Sequence, residues 1–200
     1  MPADRIAPLP ETASQTAGPY LHIGCLPAMA GIGGRLGDRA LGAAMHGPAA
    51  SGDRIALELT VWDGADAPVL DAMVEFYQAD AAGRYPGQPG ADPAMHHWAR
   101  RATDPATGLV RLDTIRPGPV AHGGGTMAPH IAIWIVARGI NLGLLTRCYF
   151  DGDPANAADP VLARIAPPGR KDTLIARRDG PVWRHAIRLQ GPDETVFLDA

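Results

Sequence analysis

Glycine and proline interrupt this chain too often for long helices to form. There are 24 glycines and 20 prolines in 200 residues, and both disfavour helix interiors and favour turns. What lies between the interruptions has the period of strands. Ile55, Leu57, Leu59 and Val61 alternate with Ala56, Glu58, Thr60 and Trp62, which places one face of a strand in a core. Asp63-Gly64 then reads as a turn. Further β-rich runs cover 69–78, 109–114, 131–136, 142–150, 182–190 and 195–198. The run 131–136 is nearly all apolar and reads as a strand buried on both faces. Short strands at regular spacing predict an all-β fold: a β-sandwich of mainly antiparallel strands with long loops. One short helix is expected at 159–165, with Asp159 as N-cap and Pro160 at the first helical position. A second covers part of 171–177.

The length suits a single domain, 1–200, with one hydrophobic core. Residues 1–52 read as a largely irregular N-terminal segment, tightly turning and extended through 14–20. The Gly- and Ala-rich stretch 31–52 is the best candidate for an irregular or mobile part. Charged residues are 20% and the net charge is −3, which offers no basic footprint for nucleic acid. Cys25 and Cys148 lack a CxxC partner and read as small core residues. No apolar run approaches the ~20 residues of a membrane helix. Residues 1–11 lack a basic-then-apolar signal pattern, so a cytoplasmic component is expected.

On residue chemistry alone, Tyr85, His130 and Arg138 stand out. Tyr85 sits in a loop after a strand, where a tyrosine is usually a packing residue, although loops also carry function. His130 opens an apolar strand. Histidine is a common metal ligand, yet a single one is more often a hydrogen-bonded core residue. Arg138 follows a strand and precedes Gly139. It reads either as a solvated turn residue or as a bidentate carboxylate binder. On a strand, the neighbours His96 and His97 would face opposite ways, which disfavours a shared metal site. His22, His46 and His185 are isolated and read as structural or solvated.

Ordered motifs take the reading further. They include Thr16-Ala17-Gly18-Pro19-Tyr20, Gln78-Ala79-Asp80, Gly83-Arg84-Tyr85 and Arg116-Pro117-Gly118-Pro119. Met127-Ala128-Pro129-His130-Ile131, Ala137-Arg138-Gly139, Tyr149-Phe150-Asp151-Gly152-Asp153 and Glu194-Thr195-Val196-Phe197 follow. With these motifs the chain resembles the intradiol ring-cleavage dioxygenases, and among them the α chains of two-chain enzymes that open protocatechuate with O2 to 3-carboxy-cis,cis-muconate. The resemblance implies a homologous β subunit that carries a non-haem Fe(III) on two tyrosines and two histidines. Carried over residue by residue, Tyr85 and His130 keep one ligand of each kind. Val120 stands where the second tyrosine would be and Ala132 where the second histidine would be. Neither offers a donor atom, so no metal is expected in this chain. His122 is the conceivable substitute ligand. Met127 replaces an arginine that the iron-bearing chain uses near the substrate.

The resemblance further implies that Thr16, Gly18, Pro19 and Arg138 line the substrate pocket of the partner, with Tyr20 supporting the contact. Arg138 then has the charge to attract a substrate carboxylate. Two other readings stand beside this one: a self-sufficient iron-dependent catechol dioxygenase, and a structural β-sandwich module without catalysis.

Overall fold

The computed structural model describes residues 15–33 and 41–199. Ten strands follow one short helix, α1 (Pro19–Cys25). The strands are β1 (Arg54–Trp62), β2 (Met73–Gln78), β3 (Trp98–Ala102), β4 (Leu109–Ile115), β5 (Val120–His122), β6 (Gly125–Met127), β7 (His130–Val136), β8 (Leu144–Phe150), β9 (Ile175–Asp179) and β10 (Val182–Arg188). Eight of them form one sheet in the order β3-β2-β7-β8-β9-β10-β1-β4, and β5-β6 is a separate hairpin. The pairs β1–β10 and β8–β9 are parallel, and the other pairs are antiparallel.

The sheet folds over at β9. Ile175 and Ala176 pair with β8, whereas Arg177 to Asp179 pair with β10. The two halves thus face each other as a sandwich. Leu57, Leu59 and Val61 of β1 and Val110 and Leu112 of β4 meet Val74 and Phe76 of β2 and Ile131, Ile133 and Ile135 of β7 in one core. Each such side chain stabilises the fold by roughly 1.5–3 kcal/mol on burial. Phe150 and Trp183 meet edge-to-face across the fold, 5.0 Å apart. The Arg116 guanidinium covers Phe150 at 4.2 Å and pairs with Asp153 at 2.8 Å.

The all-β expectation holds, with particular corrections. The strand β7 is not buried on both faces. Its even face is half open, with Trp134 37% exposed, because the opposing sheet half covers only the Ile131, Ile133, Ile135 side. The segment 195–198 is not a strand; it makes a single bridge, Leu145 to Leu198. The helix expected at 159–165 shrinks to a 3-10 turn, Leu162–Arg164. Its N-cap is Val161 and not Asp159, although Asp159 Oδ1 accepts from the Val161 and Leu162 amides at 2.8 and 2.9 Å. The other expected helix is the 3-10 segment Pro168–Leu174, and β9 takes the rest. Residues 15–18 are extended, but Pro19 starts a helix, as a proline at the first helical position allows. Of 31–52, the described part has no helix or strand, yet Met45 is buried in the core and His46 bridges Met95. Cys148 is buried, whereas Cys25 is only half-buried.

Candidate functional site

The loop bearing Tyr85 is built by the end of β2. Gln78 is fully buried. Its amide donates to the Ile115 carbonyl at 2.7 Å and accepts from the Thr114 hydroxyl at 2.9 Å. This ties the end of β2 to the end of β4, and so sets the Asp80 loop against the Arg116-Pro117-Gly118-Pro119 turn. Asp80 Oδ1 accepts from the Ala82 and Arg84 amides, both at 2.9 Å, and Oδ2 accepts from the Asp92 amide at 2.9 Å. The two segments interlock at glycines. Gly83 has φ +76°, and a Cβ there would stand 1.8 Å from the Pro119 carbonyl oxygen. A Cβ on Gly118 would meet the Ala81 carbonyl oxygen at 2.4 Å.

Tyr85 is thereby laid beside Val120 and Met127, with which Ala79 forms a small apolar cluster. Its ring stacks on Tyr77 at 5.1 Å. Tyr77 pairs in register with Ala132 of β7, and Ala132 pairs with Arg147 of β8. His130 opens β7, buried, with its ring 5.5 Å from that of Tyr149. Tyr85, Val120 and Met127 thus form one cluster, which Tyr77 joins to Ala132, and His130 lies two residues from Ala132 on β7. His122 is exposed on the β5–β6 hairpin.

Asp159 holds this face in place. It is fully buried and accepts from the Ala128 amide at 2.8 Å and from the Tyr149 hydroxyl at 3.2 Å. The Ala128 carbonyl in turn accepts from His130 Nδ1 at 2.7 Å, which leaves Nε2 as the lone-pair nitrogen. Asp159→Asn exchanges one acceptor for a donor that faces buried N–H groups. We expect a loss of about 1–2 kcal/mol, read as a lower denaturant midpoint with unchanged slope.

The residue that sequence reasoning missed is Arg147. It lies directly across from Ala132 in the β7–β8 register. Its guanidinium donates to the Tyr149 hydroxyl and contacts Met127 Sδ, each at 3.3 Å. Burial, with Arg147 second, pushes the His130 pKa down to about 4. Burial raises the Tyr85 phenol, which Arg147 partly offsets. Tyr149 is pushed up to about 12, chiefly by burial. A ferric ion does not fit this set. Two donors face two hydrocarbon side chains and a fixed positive charge, so ligand number and electrostatics both oppose it. The only sequence signal for Arg147 was a cation inside an apolar strand, and strand register is invisible in that pattern.

A second group of candidate residues lies at the other end of β7. Thr16 Oγ1 accepts from the Gly139 amide at 2.7 Å. His22 Nε2 donates to the Asp71 carbonyl at 2.8 Å, and the Asp71 carboxylate pairs with Arg138 Nε. The extended segment 15–18 and α1 are thus pinned to Arg138-Gly139. Arg138 is 73% exposed and Tyr20 is 85% exposed. Gly18 is extended, at φ −116°, and nothing lies within 4 Å of a Cβ placed on it. No contact within the described residues requires glycine there. For Pro19 only the backbone is described. An open cleft of about 740 Å³, lined by Leu70, Asp71, Arg138, Gly139 and Ile140 among others, adjoins Arg138. Eight residues separate His130 from Arg138 along β7 and its exit, which is about 26 Å at ~3.3 Å per residue.

Of the remaining histidines, His96 and His97 bond separate carbonyls, those of Ala44 and Gln78. His46 bonds the Gly47 carbonyl. His185 is buried and its Nε2 has no partner among the described residues.

Comparison with known proteins agrees with this architecture. Residues 37–182 match the family model described as Dioxygenase. The chain is 45% identical over 197 residues to the protocatechuate 3,4-dioxygenase alpha chain of Pseudomonas putida, covering 96% of this chain and 97% of that one. It is 35% identical over 134 residues to the protocatechuate 3,4-dioxygenase beta chain of Burkholderia cepacia, covering 63% of this chain and 56% of that one. Among solved structures, 3-chlorocatechol 1,2-dioxygenase from Rhodococcus opacus 1CP superposes with a TM-score of 0.57 at 22% identity, over 74% of this chain and 64% of that one; this likeness shows the shared fold. Identity sustained over nearly the whole of both chains places the protein in the protocatechuate 3,4-dioxygenase family, among its alpha chains.

Proposed function

We propose that this chain is the α subunit of an intradiol dioxygenase that cleaves protocatechuate with O2 to 3-carboxy-cis,cis-muconate, acting with a homologous β subunit that carries the Fe(III). The ferric ion supplies the oxidation chemistry on that partner. This chain supplies pocket and assembly surface: Thr16, Gly18 and Pro19 as a wall, Arg138 as the carboxylate-binding cation, and Tyr20 as a contact.

One observation carries the reading. Arg138 is exposed, and it lies about 26 Å along β7 from the remnant of the chain's own site, too far for its side chain to reach. Beyond Asp71, no described residue forms an ion pair with it, which supports a second carboxylate supplied from outside the chain. Asp71 engages Nε, and a guanidinium has further N–H donors on its terminal nitrogens for a second carboxylate. The open space around Gly18 suits close approach by a flat ring from a neighbouring chain.

Turnover is the test. Co-expressed with an iron-bearing homologous β chain, the protein is expected to copurify with it and to consume O2 with protocatechuate. Expressed alone, it is expected to show no turnover above the buffer rate. Turnover by this chain alone would support the self-sufficient reading instead.

A further inference from the structure

The remnant face is not sealed. An open pocket of about 600 Å³ is lined by Ala132, Arg147, Arg164, Arg170, Val196 and Phe197 among others. That volume falls within the range of small-molecule sites. The charge is uneven: three arginines line it against one carboxylate, Asp199. Arg170 is already occupied, since it donates to the Glu194 carbonyl at 3.0 Å and lies 3.8 Å from the Glu194 carboxylate. Among the described residues Arg147 has only neutral partners, the Tyr149 hydroxyl and Met127 Sδ, both at 3.3 Å. Arg164 makes no ion pair among the described residues, and its side chain is exposed. A half-buried guanidinium without an anionic partner favours an anion, and its fork suits a carboxylate. The adjoining wall is apolar, which favours a ligand with a hydrocarbon body over a bare inorganic ion.

We propose that this pocket binds a small organic carboxylate, with its anionic end on Arg147, assisted by Arg164, and its apolar body against Val196 and Phe197. The site belongs to this chain alone, so it does not rest on the subunit reading above.

A 19F NMR titration of 4-fluorobenzoate into the full chain tests this. The expected result is saturable binding of about one ligand per chain. Arg147→Met should weaken it about tenfold or more, as for loss of a charged hydrogen bond, and Arg111→Gln, at an exposed arginine of β4 outside the pocket lining, should leave it unchanged. Arg164→Gln, at an exposed position that should not disturb folding, should weaken it about two- to fivefold. That variant keeps the test decisive if Arg147→Met does not fold by circular dichroism. Inorganic phosphate should compete only weakly. Absence of saturable binding, unchanged affinity in Arg164→Gln, loss of binding in Arg111→Gln, or equal displacement by phosphate would each overturn the proposal.

Discussion

In the assembled enzyme, Arg138→Ala raises KM for protocatechuate by about 10- to 100-fold, corresponding to the ~1.5–3 kcal/mol of a charged hydrogen bond. A catechol without a carboxylate shows little change. The effect falls on KM because the guanidinium binds the same carboxylate in ground and transition states. Arg138→Lys keeps the charge but lacks the planar fork, so it recovers only part of the loss. The fold is not at stake. Arg138 is mostly exposed, and its pairing with Asp71 is a surface ion pair, of little consequence for stability. Steady-state kinetics on the two substrates decide the matter, and an equal loss on both would remove Arg138 from carboxylate recognition.

Acidification below about pH 6.5 is expected to destabilise the chain through two buried histidines. His130 and His185 are both held at about 4 by burial, against an ordinary 6.5. Their folded pKa values lie below the unfolded value, so the unfolded state takes up protons that the folded state refuses. Stability is therefore intact above about pH 6.5 and declines as pH falls toward about 4. A displacement of that size is on the order of 3 kcal/mol for each histidine at the acid end. Hydrogen bonds from backbone and side-chain donors hold the exposed Asp92 and Asp104 carboxyls below their ordinary value, so these groups act in a lower window. Denaturant melts from pH 7 to pH 4 show the slope. His185→Leu removes about half of it, because the imidazole at that position has an unpartnered Nε2 to begin with. A flat stability profile across this range would contradict the buried, neutral assignment of both rings.

Much of this fold could be read from alternation alone. The residues Ile55, Leu57, Leu59 and Val61 do line the core, because a period of two leaves a strand only one apolar face to bury. Where the pattern was weak, the reading failed for identifiable reasons. Trp98 to Ala102 carries two arginines and does not look like a strand, yet Arg100 is neutralised by Glu75 across β2, at 2.5 Å. The segment 195–198 has strand-like residues, but only its two ends, Thr195 and Leu198, bond a strand backbone, at Arg188 and Leu145, so no ladder forms. The candidate site was legible in part. Tyr85, Val120, His130 and Ala132 could be placed by motif, and the fold gathers them. Arg147 could not, because its meeting with Ala132 depends on the register of β7 against β8. The tie between Thr16 and Gly139, 123 residues apart, was equally invisible.

On the proposed reading, this chain holds no iron of its own and serves beside the iron site of a partner. Iron content settles it most directly. The chain, expressed alone with excess iron under air and desalted, is expected to hold far less than one iron per molecule and to show no tyrosinate-to-iron colour. One tightly bound ferric ion per chain, lost in Tyr85→Phe, would contradict it.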